Sequence, residues 1–288
     1  EDKPCVFEDH GFGQYAPWQD IKGIGKILMP QSGGLDDKGR FDLIVHFHGG
    51  DGIRKHLALI EQNAFVLDIT LGAGSRAYEK PFQGKPERFQ QVLAKVEQEI
   101  ASARGLPKAK INRLVLSGWS AGYGAIRALL RQPIRSRVDA VVLLDGLHAD
   151  YEENQPGIPR AEQMQPFIDY AKRAASNKGF MFISHSSIVP PGYASTTETM
   201  HYLTKKLGGT IVPTKIEETK ALTRIEEASQ GGYLMRGYMG EGKQNHCDQL
   251  ALINPAWQSL RQRWAAAQLP ASNQKIAKNS TPAKRQQH

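Results

Sequence analysis

Apolar positions along the chain fall into two regimes. Short runs dense in β-branched and aliphatic residues occur at 41–48, 64–70, 111–116, 138–144, 180–184 and 233–238. Their length and make-up predict strands buried on both faces. Longer stretches between them carry apolar residues at helical spacing. The clearest is 86–104, where Phe89, Val92, Leu93, Val96 and Ile100 share one face, Pro86 suits the first turn and Gly105 the stop. Helices are also predicted at 53–62, 120–131, 160–176, 195–207 (with Ser195 or Thr196 as cap) and 250–267. The first forty residues are polar and rich in Gly and Pro, with one short strand at 25–29. The pattern at 210–227 is ambiguous. Strands that alternate with helices predict a mostly parallel sheet covered on both faces. Right-handed crossovers then bring the carboxyl ends of the strands to one rim, where such sheets carry their ligand sites.

Composition narrows the class. The 288 residues suffice for one large α/β domain, with 40% hydrophobic and 23% charged residues, as in ordinary globular proteins. No run approaches the ~18 apolar residues of a membrane span. The sequence opens on Glu1 rather than Met and reads as a processed or trimmed form. Net charge is +8, of which Lys275, Lys278, Lys284 and Arg285 supply four in a polar stretch at 270–288 that is expected to be a disordered basic tail. Such a tail suits weak contact with an anionic envelope. Nothing in the pattern of basic and aromatic residues points to nucleic acid. No spacing suggests a zinc or iron–sulfur centre, and no cofactor is expected. Of the two cysteines, Cys5 lies near the start and Cys247 far along the chain. A disulfide between them would imply the periplasm or the outside of the cell, and two free thiols are the alternative.

The chemistry concentrates in Gly118-Trp119-Ser120-Ala121-Gly122, which joins the run at 111–116 to the helix that follows. G-x-S-x-G between a strand and a helix is the context of a nucleophile elbow, a turn sharp enough to lift the serine above the sheet. His48-Gly49-Gly50 ends an earlier strand, Asp145 ends the one after the elbow, and His246 lies between the last strand and the last helix. All of them fall at the same rim.

With these residues in view, the chain resembles the α/β-hydrolases over roughly residues 25–267, in their order of Ser, acid, His. The resemblance implies a serine hydrolase with Ser120 as nucleophile, His246 as base and Asp145 as the orienting acid. It departs from the common pattern, which puts the acid after the strand at 180–184. That loop, 185–189, has no carboxylate, so the earlier strand end is chosen, with Asp150 and Glu198 as fallbacks. His185 and His201 are weaker candidates for the base. The resemblance also implies an oxyanion hole from the N–H groups of Ala121 and of Gly50 or Asp51. His48, Trp119, Tyr123 and Tyr78 are expected substrate contacts, and 149–178 is a candidate cap insertion on a single domain spanning 1–269. The expected reaction is cleavage of a small or polymer-linked ester through an acyl-enzyme. An amidase, peptidase or acyltransferase on the same machinery, or a silent scaffold used for binding, are the alternatives.

Overall fold

In the computed structural model, which describes residues 5–60 and 63–268, all six buried runs are strands. The first elements are β1 (Gln19–Ile21), β2 (Gly25–Leu28), β3 (Arg40–Phe47), α1 (Gly50–Leu57), β4 (Phe65–Ile69), α2 (Ser75–Glu79) and α3 (Pro86–Ala103). β5 (Lys110–Trp119), α4 (Tyr123–Leu130), β6 (Val138–Leu144), a small hairpin β7 (Tyr151–Glu152) and β8 (Gln155–Pro159), α5 (Ala161–Ala175) and β9 (Phe180–His185) follow. The chain closes with α6 (Thr196–Lys206), β10 (Val212–Thr219), β11 (Leu222–Gln230), β12 (Tyr233–Tyr238), α7 (Lys243–Asp248) and α8 (Ile253–Gln268).

Ten strands form one sheet in the order β1-β2-β4-β3-β5-β6-β9-β12-β11-β10. The block from β4 to β12 is parallel throughout. Antiparallel strands flank it, β2 and β1 on one side and β11 and β10 on the other. After β3 the chain first builds outward to β4, then returns to place β5 on the opposite flank of β3. That reversal opens a crevice between the carboxyl ends of β3 and β5, the position that favours a ligand site.

Alternation along each strand feeds two cores, one per face of the sheet. From β3, Leu43, Val45 and Phe47 enter the core under α3, α4, α5 and α6. Ile44 enters the other, beneath α1 and α8, with Ile53, Leu57, Trp257 and Leu260. The helical face read at 86–104 is buried at every position named for it.

Two stretches differ from expectation. The ambiguous 210–227 is the β10–β11 hairpin, whose β10 side chains are mostly solvent-exposed, so the core imposes no clear period on it. Its edge carries Lys215 and Glu217, charges of the kind that discourage further strand pairing. Within the candidate cap at 149–178, α5 sends Met164, Phe167, Ile168 and Ala171 into the main core and is a crossover helix. The β7–β8 hairpin adds no residue to either core and packs against α6, where the Tyr151 hydroxyl donates to Glu198. The expected basic tail at 270–288 lies outside the described residues.

Candidate active site

β5 runs straight into its turn. Ser120 has φ 49°, in the left-handed region that a residue with a side chain enters at a cost of order 1–3 kcal/mol. Backbone contact holds it there. A Cβ on Gly122 would stand 2.0 Å from the Phe47 carbonyl oxygen, so the elbow sits directly on the end of β3. A Cβ on Gly146 would stand 2.5 Å from the Ser120 carbonyl oxygen, so the turn after β6 presses on the serine itself. Glycine at both positions lets three strand ends meet.

That second turn delivers Asp145, also left-handed (φ 44°) and only 2% exposed. One carboxylate oxygen, Oδ1, accepts from the Ser186 N–H at 2.9 Å and the Thr196 hydroxyl at 2.7 Å. The other, Oδ2, lies 2.6 Å from Nδ1 of His246. Burial alone would raise the carboxyl pKa. The bond and charge of His246, with the Thr196 and Ser186 donors, outweigh burial and hold it below the ordinary carboxylate value. The protein thus keeps a buried anion against an imidazole at the strand-end rim, behind a strained serine.

The fold is α/β, a mostly parallel sheet with helices on both faces and this site at its rim.

No family model and no curated protein matches the sequence. Solved structures are similar to it in fold alone. The poly(3-hydroxybutyrate) depolymerase LpqC from Bordetella parapertussis is similar over 87% of this chain and 89% of its own, at 12% identity and a TM-score of 0.45. The Francisella virulence factor BioJ is similar over 93% and 83%, at 11% identity and a TM-score of 0.44. The siderophore hydrolase EstB from Aspergillus nidulans is similar over 86% and 95%, at 12% identity and a TM-score of 0.43.

Within this α/β fold, His246 lies on the short helix α7 rather than in an irregular loop. Trp119 ties it to the elbow. The indole N–H donates to the His246 carbonyl at 2.9 Å, and the two rings stack with centroids 4.6 Å apart. On its other contact, Trp119 stacks on His48 at 5.1 Å and 9° between planes. Among the described residues no hydrogen bond joins the Ser120 hydroxyl to His246. The two fallback acids are committed elsewhere. Glu198 closes a capping box with Ser195 at the start of α6 and accepts from the Tyr151 hydroxyl. Asp150 is exposed and engages Arg160 and Gln163.

Ser120 and Ala121 open on a cavity of about 840 Å³, lined also by Ser75, Tyr123, His148 and Tyr193. Gly50, Asp51, His48 and Trp119 line a different one, of about 620 Å³. Asp51 opens α1 and pairs with Arg54. Tyr78 corrects the sequence reading. It is 0% exposed, and its hydroxyl is held by the Leu71 N–H, the Gly72 carbonyl and His48, so it supports the rim from below and does not face a ligand. Because that hydroxyl already donates to Gly72, His48 donates to it from Nδ1 at 2.7 Å. Tyr123 does reach the serine cavity, bonding Ser75 at 3.1 Å.

His148 and Tyr193 escaped the sequence reading. They meet edge to face at 5.2 Å. His148 donates from Nδ1 to the Ala194 carbonyl at 3.0 Å, which leaves Nε2 as an acceptor. Burial lowers its pKa. Its place three residues beyond Asp145 was the one available signal.

In the second cavity, burial pushes the Asp68 carboxyl up to about 6. A Cβ on Gly50 would overlap this carboxylate, so the start of α1 closes over it. A carboxyl raised on folding favours the folded state below its unfolded value of 3.8, and that advantage is lost as pH rises through 6. Asp68→Asn is expected to stabilise the protein by about 1–3 kcal/mol at pH 8. Melting curves should show that gain vanish below pH 4.

Proposed function

We propose that this protein is a serine hydrolase that cleaves carboxylic esters through an acyl-enzyme. The observation that carries the reading is the buried Asp145–His246 bond of 2.6 Å at the strand-end rim that also holds the strained Ser120. In this reading Ser120 Oγ attacks the ester carbonyl carbon and its proton passes to His246 Nε2. That step needs the hydroxyl within hydrogen-bond reach of Nε2, a contact that tightens when substrate binds. Asp145 keeps the other ring proton on Nδ1 and offsets the charge of the imidazolium. The N–H of Ala121 supports the tetrahedral oxyanion, with the turn at Gly50 and Asp51 as the second donor. His246 then protonates the departing alcohol, and water repeats the sequence on the acyl-enzyme.

The substrate is a small or polymer-attached ester, such as an acyl, acetyl or feruloyl ester on a carbohydrate or a hydroxyalkanoate ester. Aromatic walls from Tyr123 and Tyr193, with polar His148 and Ser75 between them, support a ligand with a flat or ring-shaped part and hydroxyl groups. The disulfide between Cys5 and Cys247 supports an oxidising compartment, the periplasm or the outside of the cell. No helix of the described residues is long and apolar enough to cross a membrane.

A fluorophosphonate probe tests the proposal. The wild-type protein should label at one equivalent and lose nitrophenyl-acetate turnover in step, and Ser120→Ala should not label. A wild-type protein that stays unlabelled and inert on esters overturns it.

A further inference from the structure

A second cluster of chemistry-bearing side chains lies behind Asp145. His185 ends β9, His201 sits on α6 and Glu226 on β11, and their ligating atoms all lie within 4.8 Å of one another. Nothing in their spacing of 16 and 25 positions announces this. The expectation of no metal site came from spacing alone, and three separate elements are needed to assemble the group.

The contacts around His185 favour a positive charge, on the ring or beside it. The ring is 1% exposed, so water does not solve its problem. Nδ1 lies 3.0 Å from the Ser186 carbonyl, which can only accept. The Thr197 hydroxyl donates to that same carbonyl and lies 3.0 Å from Nδ1, so it too receives the ring proton. Nδ1 therefore carries the hydrogen. Nε2, 2.8 Å from Glu226 Oε1, then meets a carboxylate lone pair with a lone pair of its own. His201 Nε2 converges on the same oxygen at 2.5 Å. Two imidazole nitrogens and a carboxylate oxygen converge on one point, an arrangement that either a proton on His185 or a metal ion among the three satisfies.

We propose that His185, His201 and Glu226 bind one zinc-class divalent cation. Two His nitrogens and one Glu oxygen make a donor set suited to Zn²⁺. The backbone carbonyl of Ser186 on the far nitrogen of His185 is the outer partner that fixes a metal-binding tautomer. Bonds of about 2.0–2.1 Å spread tetrahedral ligands to roughly 3.4 Å, so the cluster opens slightly to admit the ion. His201, 42% exposed, has the freedom to move, and water takes the fourth position from that side.

The ion braces the proposed acid and takes no part in the reaction. Ser186, next to His185, gives its N–H to Asp145, and Thr196, on the same helix as His201, gives its hydroxyl. A metal joining β9, α6 and β11 fixes both donors.

The test uses untagged full-length protein, dialysed against chelator and titrated with ZnCl₂ by calorimetry, with Co²⁺ absorption as a second readout. Wild type should take up one tight equivalent, show the visible bands of four-coordinate Co²⁺ and gain in Tm. His201→Ala, at an exposed position, and the conservative Glu226→Gln should each weaken that binding at least ~100-fold. Ser120→Ala should bind zinc like wild type, which separates this site from the hydrolase reading. A wild-type protein with no tight equivalent, leaving a buried imidazolium in place of the metal, overturns the proposal. So does unchanged uptake by His201→Ala.

Discussion

Asp145→Asn is expected to lower kcat by about 10⁴-fold while the protein keeps its fold. The surroundings of the carboxylate dictate why. Oδ1 accepts from both the Ser186 N–H and the Thr196 hydroxyl, so an asparagine there must put its carbonyl oxygen at that position. Its NH₂ then points at His246 Nδ1, where Oδ2 stood 2.6 Å away. A donor facing Nδ1 forces the ring proton onto Nε2, the nitrogen that must take the serine proton. The hydrogen bonds survive and the tautomer is wrong. Steady-state kinetics should show the loss in kcat with KM little changed, and thermal melts should stay close to wild type. Asp150→Asn and Glu198→Gln serve as controls and should keep activity within a few-fold. Severe loss in Glu198→Gln with near-normal Asp145→Asn would show that the acid has been misassigned.

Much of this arrangement was legible in the sequence, for reasons that can be named. β3, β5, β6 and β9 are buried on both faces, so burial writes itself as continuous apolar runs. The glycines of the elbow and the Asp-Gly pair after β6 are demanded by backbone contacts a few ångströms apart, and such demands leave local marks. His246 was marked by its place between β12 and the final helix. The remainder is non-local. The column of His48, Trp119 and His246 depends on two strand ends and the helix α7, and no pentapeptide encodes stacking. Tyr78 read as a cleft residue because it lies in a Gly-rich stretch, yet α2 turns it inward beneath His48. The β10–β11 hairpin was ambiguous because β10 is mostly exposed and β11 mostly half-buried, which leaves little hydrophobic period to read.

Breaking the disulfide is expected to cost both stability and turnover. Cys5 and Cys247 are bonded across 242 positions, so the bridge ties almost the whole described chain into one loop. In the chain-entropy account a loop of that length is worth up to about 5 kcal/mol, and small strains bring measured values to ~2–5 kcal/mol. The bridge also acts locally. α7 spans only Lys243–Asp248, too short to hold its shape alone, and it carries His246 beside Cys247. The Gln244 side chain, on the same helix, donates to the Val6 carbonyl and accepts the Val6 N–H. Further along the arm, Asp9 grips Arg54 of α1 with both oxygens. The arm is thus a clamp between α1 and α7, and Cys5 is the covalent end of it. Cys5→Ser should lower Tm by roughly 5–15 °C. It should also reduce kcat more than it raises KM, because α7 then holds the imidazole less firmly against Asp145. Dithiothreitol should reproduce both effects in wild type and leave Cys5→Ser unchanged. A Cys5→Ser, Cys247→Ser pair that melts and turns over like wild type would show that the arm's polar contacts alone position α7, and that the redox state of the compartment has no hold on the site.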